Sequence, residues 1–180
     1  MAVGGSLVAA PVLALAGLIG GGVHPERFDA KQVVVTPAGD GVRIRETVDE
    51  DFGTSDHHGY ERQVINDFGV PADVVASSPD APADLSVANE GRTTRIRLGD
   101  PNQTFDGQHR YVLSYTLPNA QLSTGQLALD IIGDPLHPEQ FETRRFEVIL
   151  AGFELQDPTC IAAAAGSCDR VVTVRDGRVS

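Results

Sequence analysis

The sequence predicts an all-β fold, an antiparallel β-sandwich of the immunoglobulin-like kind. Three observations carry that expectation. Short β-branched and apolar runs recur along the chain, several with strict two-residue alternation. Turn-forming clusters separate them, built from 19 Gly and 11 Pro spread over 180 residues. No window carries a sustained helical stripe.

The first segment stands apart from this pattern. From Ala2 to Gly22 there is no charged residue, and Val8, Val12, Leu13, Leu15, Leu18 and Ile19 form an apolar core. Gly20, Gly21 and Gly22 follow, then His24, Pro25, Glu26 and Arg27. An apolar stretch closing in small residues reads as a signal peptide or membrane anchor, here without a basic leading region. Six glycines in this stretch disfavour a buried helix, at about 1 kcal/mol each. Residues 1–22 are therefore expected to be the export segment, and residues 23–180 the sandwich domain.

Lys31 to Pro37 is the first β-branched run, and Asp40-Gly41 then signals a hairpin. Val42 to Val48 alternates cleanly. Val42, Ile44, Glu46 and Val48 share one face, while Arg43, Arg45 and Thr47 share the other. A carboxylate on an apolar face needs a partner. In the next run Tyr60, Arg62 and Val64 share a face, so Arg62 is the expected partner of Glu46, its planar fork suiting a carboxylate. Ala83–Ala88, Arg92–Leu98, Arg110–Leu117, Gln126–Ile132, Arg145–Leu150 and Val171–Arg175 continue the strand pattern. The turns between them are Pro79–Pro82, Gly99–Asn102, Asp106-Gly107 and Gly133–Pro135.

The formal net charge is −11, which repels nucleic-acid phosphates and anionic head groups. No basic cluster interleaved with aromatics offsets it, so nucleic acid is not an expected partner. Cys160 and Cys168 are the only cysteines. After export they are expected to form a disulfide closing an Ala-rich loop, stabilising by about 2.5 kcal/mol.

Chemistry-bearing motifs are few. Asp49, Glu50, Asp51, Asp56, His57 and His58 read as an acidic, His-bearing loop. Asp56, His57 and His58 could face a divalent cation, against the plainer reading of a solvated loop. Asp100-x-Asn102-x-Thr104 opens like a calcium loop but has Phe105 where Gly is needed and Tyr111 where the bidentate Glu is needed. No nucleophile elbow, phosphate-cradling loop or His-Glu-x-x-His motif occurs, and no cofactor is expected.

The order of these elements resembles a known family. Val42-x-Ile44-x-Glu46, Phe52-Gly53, His58-Gly59-x-x-Arg62, Ile96-x-Leu98-Gly99-Asp100, Gly107 and Tyr111-x-Leu113-x-Tyr115 together resemble the N-terminal domain of the bacterial membrane proteins grouped as domain of unknown function 2207. The resemblance spans roughly Lys31 to Cys168. It implies an extracytoplasmic domain behind a signal peptide, normally followed by transmembrane helices. The chain departs from that plan by reaching Ser180 without such a helix, and by lacking a Trp near Leu129–Gly133. A truncated member or a secreted relative is the expectation. It would be associated with the membrane through residues 1–22 or a missing C-terminal region, with an envelope protein or polymer as partner. The functional expectation is thus a non-catalytic binding or structural module of the cell envelope. The alternative is a metal-dependent envelope hydrolase using Asp56, His57 and His58.

Overall fold

The computed structural model describes residues 26–54, 56–120, 142–153, 174–175 and 178–179. Cys160, Cys168, the 1–22 segment and the run at 126–132 lie outside the described residues.

Two sheets form the expected β-sandwich. In chain order the strands are β1 (Arg27–Ala38), β2 (Gly41–Asp51), β3 (Tyr60–Ile65), β4 (Ala72–Ser77), β5 (Leu85–Asn89), β6 (Thr93–Leu98), β7 (Gln108–Leu117), β8 (Glu142–Thr143), β9 (Phe146–Leu150), β10 (Val174–Arg175) and β11 (Arg178–Val179). The larger sheet runs β4-β7-β2-β1, and both β8 and β9 pair along the far side of β1. The smaller sheet runs β3-β6-β5, and β10 pairs with β11 separately. Pairing is antiparallel except where β8 and β9 join β1 in parallel.

The alternation decides what lies between the sheets. Val33 and Val35 from β1, Ile44 and Val48 from β2, and Tyr111, Leu113, Tyr115 and Leu117 from β7 point inward. They meet Tyr60, Val64, Ile96 and Leu98 from the smaller sheet. All are essentially fully buried, as strands with one solvated face require.

β1 begins at Arg27, ahead of the expected run, β8 and β11 join the expected strands, and two further departures bear on the interior. β4 was not legible as a strand, because Pro71 precedes it and its pairing with β7 is irregular between Ala72 and Val75. There Asp73 takes a φ of 50°, the geometry of a bulge. The acidic stretch after Val48 is not a loop. β2 continues to Asp51, so Asp49, Glu50 and Asp51 are strand residues paired with Arg110, His109 and Gln108 of β7.

Candidate functional site

Glu46 is the centre of the described interior. Strand β2 places it on the inward face between Ile44 and Val48, where it is fully buried. Strand β3 faces it from the opposite sheet and presents Tyr60 and Arg62, whose two-residue spacing keeps both on the inward side.

Each oxygen of the Glu46 carboxylate is held twice. Arg62 Nε donates to Oε1 at 3.2 Å, and the Tyr115 hydroxyl on β7 donates to the same oxygen at 2.7 Å. Lys31 Nζ on β1 lies 3.1 Å from Oε2, and the Tyr60 hydroxyl donates to it at 3.3 Å. Burial opposes ionisation of Glu46. Lys31 and Arg62, with the Tyr115 hydrogen bond, outweigh that opposition and hold its pKa at about 2. The tyrosines move the other way: burial, then the adjacent negative carboxylate, raise both Tyr60 and Tyr115 well above the usual phenol range. The group is therefore an ionised acid with its acceptor sites occupied, tying β2 to β1, β3 and β7 across both sheets. Arg62 also donates to the carbonyl of Gln63.

Lys31 is the member that the sequence reading passed over. It is 3% exposed and shares its face with Val33 and Val35. The signal was present, since the only Lys of the chain occupies an apolar-face position in an alternating strand. Its ammonium also sits 5.9 Å from the centre of the Phe28 ring.

A second carboxyl shares this interior. Glu50 continues the Glu46 face of β2 and is 2% exposed. Burial, then a hydrogen bond and like charge from Glu26, raise its pKa well above the usual carboxylate range, with Lys31 pulling the other way. Among the described residues its Oε2 has no hydrogen-bond partner, nor has the buried hydroxyl of Tyr111. Glu26 in turn lies 3.6 Å from His57 Nε2, and the His57 ring stacks on Phe52 with centroids 4.7 Å apart.

The structure does not gather Asp56, His57 and His58 into one centre. Asp56 and His58 are exposed, and His58 Nδ1 contacts the carbonyl of Gln103 at 2.9 Å. His57 instead turns toward Glu26 and Phe52. Among the described residues no group of three His, Cys, Asp or Glu side chains could hold a metal ion. The mimic of a calcium loop is a turn in which Asp100 accepts from the backbone of Asn102 and from the Gln103 side chain.

No family model matches the chain, and no curated protein matches it. Solved structures give distant likenesses. A two-domain M1 zinc metallopeptidase mutant bound to L-tryptophan superposes with a TM-score of 0.35 at 9% identity, over 62% of this chain and 22% of that one. An M1 zinc metallopeptidase from Deinococcus radiodurans gives 0.30 at 8% identity, over 51% and 20%. The chain thus spans about a fifth of the length of either. Among the described residues no helix is long and apolar enough to cross a membrane.

Proposed function

We propose that this chain is a non-catalytic, extracytoplasmic module of the cell envelope that binds a protein or polymer and is held at the membrane by its apolar N-terminal segment. The observation that carries this reading is the use made of Glu46. A buried carboxylate is the kind of group an enzyme would employ, yet here both oxygens are occupied by Lys31, Arg62, Tyr60 and Tyr115, and it lies between sheets rather than in a cleft. Such a group has no proton to exchange near neutral pH and, fully buried, no exposed surface on which to meet a substrate. Its work is to tie the sheets together. The uncharged run from Ala2 to Gly22 and the resemblance to an extracytoplasmic domain support the proposed location.

The test is fractionation of cells producing the full chain with a C-terminal epitope tag, followed by protease treatment of the intact cells. The tag is expected in the envelope fraction and open to external protease, and purified protein is expected to co-sediment with isolated envelopes. A cytosolic, protected tag overturns the location. Chelator-sensitive hydrolysis of peptide or ester substrates that is lost in His57→Ala would reinstate the metal-dependent hydrolase.

A further inference from the structure

Sheet edges are where an all-β protein must choose between solitude and partnership, because an edge presents unpaired backbone donors and acceptors. The larger sheet guards its edges. β4 is preceded by Pro71 and bent at Asp73, and β9 carries Glu147 behind Arg144 and Arg145. In the smaller sheet β3 carries Glu61 and Arg62. β5 is different. Leu85-Ser86-Val87-Ala88-Asn89 contains no charge, no proline and no bulge, and among the described residues only β6 pairs with it.

The register shows what this edge offers. The Glu90 N–H donates to the Thr93 carbonyl at 2.8 Å, and the Gly99 N–H donates to the Asp84 carbonyl at 3.1 Å. Residues 84, 86, 88 and 90 therefore face β6, and the backbone groups of Leu85, Val87 and Asn89 point away from it. Leu85 and Val87 pair with Leu98 and Ile96, which are fully buried, yet they are themselves 41% and 45% exposed. The apolar face of the smaller sheet thus continues past the cover of the larger one. The strand is also held ready: Asn66 donates to the carbonyl of Gly91 in the β5–β6 turn at 2.8 Å and accepts from Thr94 at 2.7 Å.

We infer that the open edge of β5 is a strand-addition site for an extended segment of another protein, one with alternating apolar residues and basic residues at both ends. Charge selects this occupant. The edge is flanked by Asp84 and Glu90, both exposed, in a chain of net charge −11. Arg95 Nε holds Glu90 at 3.0 Å, while Asp84 makes no ion pair among the described residues. A second copy fits poorly. The two-fold antiparallel register that uses all five residues sets Val87 against Val87 and brings Asp84 opposite Glu90 at each end, a like-charge pairing. An added basic strand meets Asp84 at one end and Glu90, which it would share with Arg95, at the other, completes the backbone ladder and covers Leu85 and Val87.

This inference rests on the reading of the chain as a binding module and names the partner of that module. Its test uses the full chain and a fluorescent peptide of alternating Val and Thr, about seven residues long, with Arg at both ends. Val87→Pro removes an outward N–H without removing a bond of the β5–β6 ladder, and Val87→Lys keeps the backbone while placing a charge on the edge. Binding is expected to weaken by about tenfold or more in either variant, on N-methylation of alternate peptide amides, or with Glu replacing the terminal Arg. If Val87→Pro fails to fold, Val87→Lys and the N-methylated peptide still decide. No binding, equal binding by the N-methylated peptide, or equal binding by the acidic peptide overturns the inference. So does a dimer of the wild type in sedimentation that Val87→Lys abolishes, which would give the edge to a second copy. Envelope co-sedimentation that persists unchanged in Val87→Lys overturns the edge while leaving the module reading intact. Peptide binding without envelope association does the reverse.

Discussion

Arg62 Nε on β3 reaches Glu46 Oε1 on β2 at 3.2 Å across the space between the two sheets, with both side chains almost fully buried. Arg62 is one of two cations on that carboxylate. Lys31, next to it in the larger sheet, takes the other oxygen.

The unequal sharing predicts unequal losses. Glu46→Gln leaves two buried cations facing one neutral amide and is expected to cost about 3–5 kcal/mol. Arg62→Met leaves the Lys31–Glu46 pair intact and is expected to cost less, about 1–3 kcal/mol. A double-mutant cycle in urea should show strong coupling, with the double mutant well short of the sum. Losses under about 0.5 kcal/mol throughout would mean that the pair does not hold the sheets together.

The two buried acids of β2 predict opposite pH trends. Glu46 has a folded pKa lowered from 4.5 to about 2. Its contribution is present above the ordinary carboxylate pKa and is lost as pH falls through that window. Glu50 is raised, through burial and then Glu26. It favours the fold below the ordinary carboxylate pKa, and that advantage is lost as pH rises through its folded pKa. Glu50→Gln mimics the protonated form. At pH 7 it is expected to gain on the order of 1–3 kcal/mol, and at pH 4 to gain little. Urea midpoints at the two pH values decide it, and an equal effect at both would contradict the assignment.

Gly59 and Gly99 lie back to back where β3 begins and β6 ends. A Cβ on Gly59 would fall 2.0 Å from the Leu98 carbonyl oxygen, and one on Gly99 would fall 1.9 Å from that of His58. Both also take positive φ, 114° and 150°. Each Gly→Ala change is expected to cost roughly 3 kcal/mol or more, or to prevent folding, because the obstacle is backbone and cannot swing aside. Soluble yield and the urea midpoint measure this, and near-neutral substitutions would show that the strands can part.

Asn66 is expected to matter to the edge rather than the core. Asn66→Ala removes its bonds to Gly91 and Thr94 and should cost about 1 kcal/mol. Hydrogen exchange at the backbone amides of β5 should quicken while exchange in β2 and β7 is unchanged. Uniform acceleration would place Asn66 in the global fold instead.

Much of the architecture was readable from local pattern. Period-two alternation is a property of a single strand, so it put Val42, Ile44, Glu46 and Val48 on one face, and Tyr60, Arg62 and Val64 on another, before any pairing was known. Asp40-Gly41 pointed to the β1–β2 hairpin, but the turn itself is Gly39-Asp40: the positive φ of 60° falls on Gly39, and Gly41 already pairs with Ala38 as the first residue of β2. The sandwich followed from many such strands with punctuated turns. What alternation cannot supply is which strand lies opposite which, since that depends on contacts distant in the chain. Lys31 became the second partner of Glu46 only when β1 was set beside β2, and Glu50 became a buried acid only when β7 carried β2 on through the acidic run. β4 stayed hidden because its bulge breaks the alternation that would reveal it. The edge of β5 is likewise a property of the assembled sheets: the sequence marked Ala83–Ala88 only as a strand, and it is in the folded structure that Leu85 and Val87 stand exposed and that, among the described residues, β6 alone pairs with them.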